Sequence, residues 1–338
     1  MIRVREGQVI GLEARVAFDG QVPSTTMAEV AQIALERNHA LTGPVYVEEA
    51  EPGDILEVEI LEVEAQPFGF ALQGPKFGFL RDIFTDDHLI RWDIRDGLAT
   101  SPDLPGVRIV GAPFMGVLGV APSHQPMNTI ARREADLAKD GHFVALPTSE
   151  HSVPDDPVIA EVALRTLPPR EFGGNMDIKQ LTKGARLRLP VFVPGALFSA
   201  GDGHFARGDN ECCTAIEMSS TLYCRFKVIK AATARRAVFE PEFYREDYFA
   251  LPELAVPRRF FATTGLSRKP DRTFEPEDLN LAARNALLNM IRYLVDERGY
   301  TRQQAYAICS VAVDLRISAA VNAPNYLVSA FLPLDIFI

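Results

Sequence analysis

Ile55-Leu-Glu-Val-Glu-Ile-Leu-Glu-Val-Glu64 alternates apolar residues with glutamate for most of its length. A period of two fits a strand with one face on a core and one in water. Other segments read the same way. Gln8 to Val22 alternates weakly around Asp19-Gly20, a hairpin turn signal. His88 to Asp96 reads as a strand carrying Trp92, and Leu222 to Ile229 as another. Leu187 to Ser199 reads as two strands joined at Pro194-Gly195, while Pro67 to Phe84 reads as a loop with short strands. Helical spacing is confined to a few places. Met27, Val30, Ile33 and Ala34 fit a short helix or ordered loop capped by Ser24 or Thr25, and Ile130 to Lys139 fits a second helix. Near the end, Leu279, Ala282, Ala286, Met290 and Tyr293 mark one helix face, with Pro276 in the first turn and Gly299 as the stop. Thr301 then caps a helix through Val313. The expected class is mainly β with an α+β C-terminal part.

At 338 residues and 47% hydrophobic, the chain can bury a core large enough for two domains, or one with additions. The expected division is a β-rich region at 1–230, carrying an insertion at 124–166, and an α+β region at 231–338 with helices near 276–298 and 302–313. A formal net charge of −10 argues against non-specific nucleic-acid binding, and no basic run suits an anionic membrane surface. The four cysteines include an adjacent pair, Cys212-Cys213, and no C-x-x-C, which fits small buried residues in a reducing compartment. Met1-Ile-Arg-Val-Arg-Glu-Gly7 has no apolar signal region, and Leu189 to Gly201 is too short to span a bilayer. These features read as a soluble cytoplasmic protein.

The chemistry-bearing residues gather on either side of Leu187 to Ser199. Before it lies Glu171-Phe-Gly-Gly-Asn-Met-Asp177; after it lie Gly201-Asp-Gly-His-Phe-Ala-Arg-Gly-Asp-Asn-Glu211 and Glu217. Carboxylates in so apolar a setting must be paired or hold a cation. Residues two apart share a face of a strand, which groups Asn175 with Asp177, Asp202 with His204, and Asp209 with Glu211. Glu217 follows six residues on. Oxygen ligands with one imidazole suit zinc or another divalent ion, whereas more oxygens suit calcium. An acid beside glycine equally suits a turn, so Asp202 and Asp209 also read as turn residues. His39, His88, His124, His142 and His151 stand alone and read as surface or core groups. No G-x-x-x-x-G-K-[ST], G-x-S-x-G or H-E-x-x-H occurs. Glu211 beside Cys212 and Cys213 would raise their thiol pKa, which argues against a cysteine nucleophile.

These residues carry a resemblance to the acetamidase/formamidase family. The matching text is Pro168-Pro-Arg-Glu-Phe-Gly-Gly-Asn-Met-Asp-Ile-Lys179, Gly195-Ala-Leu-Phe-Ser-Ala-Gly-Asp-Gly-His204 and Gly208-Asp-Asn-Glu-Cys-Cys-Thr-Ala-Ile-Glu217. Thr42 to Val47, Ala50 to Leu56, Pro113 to Pro122 and Asp314 to Ser318 add to it in order. The resemblance implies hydrolysis of small linear amides to a carboxylate and ammonia without a serine triad. It also implies a divalent-metal site, jelly-roll-like β-sandwich parts and a homo-oligomer, a dimer first. Asn210 stands where the family has a turn glycine, the N-terminus reads as shorter and without a histidine-bearing lead-in, and His124 to Thr166 reads as a divergent insertion.

The reading that follows places Asp177, Asp202 and His204 around a cation, zinc first and calcium second, with Asn175 as a further oxygen donor. Glu217 or Glu211 serves as general base and then passes its proton to ammonia. Two alternatives stand beside it. One is the same fold acting on a larger or cyclic amide or another carbonyl compound, with Phe68 to Phe84 and His142 to Pro157 shaping the pocket. The other is a non-catalytic binding or scaffold protein stabilised by a metal.

Overall fold

A computed structural model describes residues 1–22, 30, 32–75, 78–148, 150–151, 156–160, 163–248 and 257–338. The chain is mainly β, in mostly antiparallel sheets, with two consecutive helices near the C-terminus.

The alternating segment forms the strand Ile55–Ala65, in the middle of a five-stranded sheet. It lies between Arg186–Pro190 and Ser220–Ile229, and Val9–Ala14 closes one edge. Leu56, Val58 and Ile60 are fully buried. The opposite face differs from the expected wet one at its start. Glu57 is 5% exposed because Arg188 Nε donates to it at 2.7 Å and Tyr244 Oη at 3.0 Å. Glu59 is held by arginines from both neighbouring strands, Arg186 and Arg225. Cross-strand pairing of opposite charges thus covers the glutamates.

The second sheet holds eleven strands among the described residues and carries the chemistry. Its relevant run is Gly173–Asn175, Phe114–Gly119, Phe198–His204, Glu217–Met218 and Phe68–Gln73. Arg186–Pro190 and Phe198–His204 are both strands, and Pro194-Gly195 is a turn, yet the two strands lie in different sheets. The link is tied first to the start of the five-stranded sheet's central strand, with Val191 N donating to Asp54 O at 2.9 Å. Gly195 N then donates to Ala50 O, and Gly195 O accepts from Val47 N, as the chain crosses over. Asp19 and Gly20 adopt the left-handed turn conformation, but among the described residues Val9–Ala14 pairs with Ser220–Arg225 and with no strand returning from this turn.

Capping defines the C-terminal helices. Asp278 accepts from Leu281 N at 2.9 Å to start Leu279–Arg298, leaving Pro276 outside the helix, and Gly299 at φ 75° ends it. Thr301 and Gln304 form a capping box for Arg302–Ala312. The long helix packs on a three-stranded sheet, Phe260–Leu266, Leu327–Pro333 and Asp314–Ala319. A Cβ on Gly265 would lie 2.1 Å from Ala282 O, so helix and strand approach to backbone distance there.

His124–Lys139 is a longer helix than the spacing of Ile130 to Lys139 implies. Its Glu134 makes a bidentate ion pair with Arg170 at 2.7 and 2.9 Å, both side chains buried. Leu35–Arg37 forms a 3-10 turn, while Ser24, Thr25 and Met27 lie outside the described residues. No helix among the described residues is long and apolar enough to cross a membrane.

Candidate metal and catalytic site

The second sheet brings the acidic and imidazole groups together by register. His204 and Glu217 are directly opposed on antiparallel strands, as are His204 and Phe114 on the other side. His204 Nε2 lies 3.2 Å from Glu217 Oε2 and 3.2 Å from Asp202 Oδ1. Its Nδ1 lies 3.9 Å from Asp177 Oδ1. Phe114 packs edge-on to the imidazole with ring centres 4.9 Å apart. Asp177, Asp202 and His204 each offer a ligand atom within 4.8 Å of the others, and His204, Glu211 and Glu217 do the same.

The backbone is bent to achieve this. Asp177 (φ 49°), Asp202 (φ 61°) and Glu211 (φ 37°) all sit in the left-handed region that side chains rarely adopt. Such conformations persist where the surroundings over-determine them, commonly at functional sites. Asp177 lies beyond the end of Gly173–Asn175, and Met176 N and Asp177 N both donate to Gly116 O. A Cβ on Gly116 would lie 2.3 Å from Asp202 Oδ2 and 2.5 Å from Asp177 Oδ1. Only glycine leaves room for both carboxylates against this strand.

The other sequence candidates are placed as follows. Asn175 Nδ2 donates to Leu167 O at 3.0 Å, and its buried Oδ1 has no hydrogen-bond partner. Glu217 Oε1 accepts from Ala215 N at 3.1 Å. Glu211 keeps 17% side-chain exposure, with its Oε2 3.4 Å from Arg207 Nε. Asp209 is turned elsewhere, accepting from Gln180 at 3.0 Å, so the residues around it are not the extended strand that would align Asp209, Glu211 and Glu217.

One residue read as an ordinary histidine belongs here. His39 is nearly buried, and its Nε2 lies 3.8 Å from Asp202 Oδ2. Its Nδ1 lies 3.0 Å from Thr166 Oγ1. A fixed partner on one ring nitrogen commonly orients the other toward a metal. Its neighbours in sequence carry no signal of this; it arrives from the segment before Leu41–Val47, a strand that pairs with Phe198–His204.

The electrostatics are those of acids crowded together away from water. Burial and the nearby Asp202 raise the Asp177 pKa. Burial and Asp177 push Glu211 well above the usual carboxylate range. Burial raises Glu217 to about 7 against the opposing pull of His204. Burial opposes the charged form of His204, yet Glu217 and Asp202 outweigh it and raise its pKa. For Asp202, burial is outweighed by His204 and His39, and its carboxyl is held low. Asp177 Oδ1, His204 Nδ1, Glu211 Oε2 and Glu217 Oε2 are buried and have no hydrogen-bond partner. Orphaned acceptors converging this closely are costly alone, and a divalent cation would satisfy them together. The donor set therefore fits a metal.

The profile of the Acetamidase/Formamidase family matches residues 1–338. The chain belongs to the acetamidase/formamidase family. It is 35% identical to a protein named formamidase from Methylophilus methylotrophus, over 99% of this chain and 86% of that one. It is 35% identical to a protein named acetamidase from Mycolicibacterium smegmatis, over 94% of this chain and 84% of that one. Among solved structures it resembles a chain described as gamma lactamase from Delftia acidovorans, with a TM-score of 0.91, 31% identity, and coverage of 99% and 86%. The family's fold is this arrangement of antiparallel sheets with helices mostly near the C-terminus.

Proposed function

We propose that the chain is a metal-dependent hydrolase of small linear amides, releasing ammonia and a carboxylate. The observation that carries this reading is the set of unpartnered buried oxygens and nitrogen around His204, in a family whose named members include a formamidase and an acetamidase. Asp177, Asp202 and His204 would hold the ion, with His39 as a second imidazole and Asn175 Oδ1 as a further oxygen. Imidazole mixed with carboxylates favours zinc over calcium, which takes oxygen ligands. A divalent ion in this position supplies Lewis acidity, polarising an amide carbonyl and lowering the pKa of water.

The remaining chemistry is the chain's own. Glu211 is the carboxylate at the more open side of the cluster, and its Oε2 is free of hydrogen bonds. It takes a proton from the attacking water and returns it to the departing amine. Burial and Asp177 raise the pKa of this carboxyl, the direction that helps it hold and then release a proton. Glu217 is the deeper acid, fixed through Oε1 by Ala215 N, and its Oε2 holds the His204 imidazole in orientation. Phe114 closes one side of the imidazole to water. The division of 1–230 from 231–338, a homodimeric assembly and a cytoplasmic location remain part of this proposal.

The test joins elemental analysis of purified protein to an ammonia-release assay on formamide, acetamide and longer amides before and after chelation. Metal-dependent turnover of the short amides is expected; full activity in metal-free protein would sink the mechanism. A second reading, hydrolysis of a cyclic amide, is favoured by the likeness to the Delftia chain. A γ-lactam in the same panel decides between them, since a clear preference for it over formamide reverses the assignment.

A further inference from the structure

The loop from Arg207 to Glu211 carries the proposed general base, and its backbone is fastened to the C-terminal elements. Gly208 N donates to Ser310 O at 2.9 Å, Asp209 N to Asp314 Oδ1 at 2.9 Å, and Leu315 N to Asp209 O at 3.3 Å. Asn210 Nδ2 donates to Cys309 O at 3.0 Å and to Val313 O, which ties the loop to the end of the helix Arg302–Ala312. Glu211 follows at φ 37°. Among the described residues its carboxylate accepts no hydrogen bond, so nothing in this fastening fixes the orientation of the side chain.

The first residue of the loop turns back over the last. The Arg207 side chain is 7% exposed, and its guanidinium is spread along the loop. Nη1 donates to Gly208 O at 3.1 Å, Nη2 lies 3.7 Å from Asp209 Oδ1, and Nε lies 3.4 Å from Glu211 Oε2. Asp209 is held in turn by Gln180 at 3.0 Å. Phe114, the ring edge-on to His204, flanks the guanidinium with its centre 5.9 Å from Cζ. The guanidinium is therefore placed by groups other than Glu211. Arg207 Nε and Glu211 Oε2 are both buried and close, yet not aligned as a hydrogen bond. Hydrogen bonds of this kind commonly tighten only when substrate is bound.

We propose that Arg207 is the positioning residue for Glu211, holding its carboxylate in the orientation that takes a proton from water and returns it to the amine. The proposal rests on the hydrolase reading, in which Glu211 carries that proton. Among the described residues the ion pairs of Arg207 are with Asp209 and Glu211, so its influence on the chemistry passes through Glu211. Lysine would keep the charge but not the planar fork that reaches three acceptors along the loop.

The test is a double-mutant cycle. Arg207→Ala, Arg207→Lys, Glu211→Gln and the double variant Arg207→Ala/Glu211→Gln are assayed for ammonia release on the amide the parent hydrolyses. Metal content and melting temperature are measured on each. Arg207→Ala should lower kcat by about 10- to 100-fold, part of what a positioned general base contributes. Its KM should stay within about twofold of the parent's, as for an interaction made only in the transition state. Metal content should be unchanged, and Arg207→Lys should recover part of the loss. In the Glu211→Gln background Arg207→Ala should have no further effect on kcat, the signature of two residues acting as one unit. Should Arg207→Ala fail to fold, the cycle is run with Arg207→Lys, whose smaller loss must vanish in the same way. Parental kcat in a folded Arg207 variant, a loss explained by lost metal, or the same fold-loss with and without Glu211 would each overturn the proposal. A parent that hydrolyses no amide ends the hydrolase reading and this one together; an active parent with an unaffected Arg207→Ala ends this one alone.

Discussion

His204 and Glu217 face each other directly across antiparallel strands, with Nε2 and Oε2 3.2 Å apart and that oxygen otherwise without a hydrogen bond. The pairing makes the imidazole part of the sheet's register, so its position is set by main-chain hydrogen bonds as well as by its own rotamer.

Replacing either member should separate binding from orientation. His204→Ala is expected to abolish metal retention in elemental analysis and to reduce amide turnover by more than about 100-fold, beyond the loss typical of a group that only orients a ligand. Glu217→Gln keeps the shape but not the charge. It should retain part of the metal while losing about 10- to 100-fold in activity. Equal metal content in His204→Ala and the parent would remove the imidazole from the ligand set.

Gly116→Ala tests the close approach of the strand to two carboxylates. The added methyl would lie 2.3 Å from Asp202 Oδ2 and 2.5 Å from Asp177 Oδ1, so at least one carboxylate must move. Metal affinity should fall by at least about tenfold, while circular dichroism still reports the native sheets. Unchanged affinity would mean that the two acids are not held against this strand.

The Glu134–Arg170 pair ties the helix His124–Lys139 to the sheet edge beside Asn175. Glu134→Ala leaves a buried guanidinium without its acid and should cost about 3 to 5 kcal/mol by chemical denaturation. Replacing both residues by apolar ones of similar volume should recover much of that loss. A double variant as unstable as the single one would contradict the account.

Acid sensitivity can be assigned to a residue remote from the site. Asp54 is buried, which alone would raise its pKa, but Lys230 and the amides of Ala231 and Glu51 together lower it below 3.8. A folded pKa below the unfolded one means the stabilisation is present above about pH 4 and is lost as pH falls through the folded value. Asp54→Asn should therefore lower the melting temperature at pH 7 and flatten its decline between about pH 5 and 3. An unchanged slope there would assign the acid sensitivity to other carboxylates.

Period and capping made much of the fold legible. Ile55–Ala65 could be read from alternation, and the helix ends from Gly299 and Thr301, because those signals are local. Sheet membership was not legible from Leu187 to Ser199, since a Pro-Gly turn says that the chain bends but not which sheet receives it. The gathering of Asp177, Asp202 and His204 was suggested by glycine-flanked acids between apolar runs. His39 was not, because its approach depends on Leu41–Val47 pairing with Phe198–His204, some 160 residues away along the chain. Gly116 was visible only as a glycine in an apolar run; that its missing side chain makes space for two acids is a property of the assembled sheet.

The seven residues from Val191 to Leu197 step from one sheet to the other and are pinned on both sides of the step. Melting of the five-stranded sheet would therefore pull directly on the strand that bears Asp202 and His204. On heating, catalytic competence and that sheet should vanish in one event, leaving little room for a state that keeps its core but has lost its chemistry.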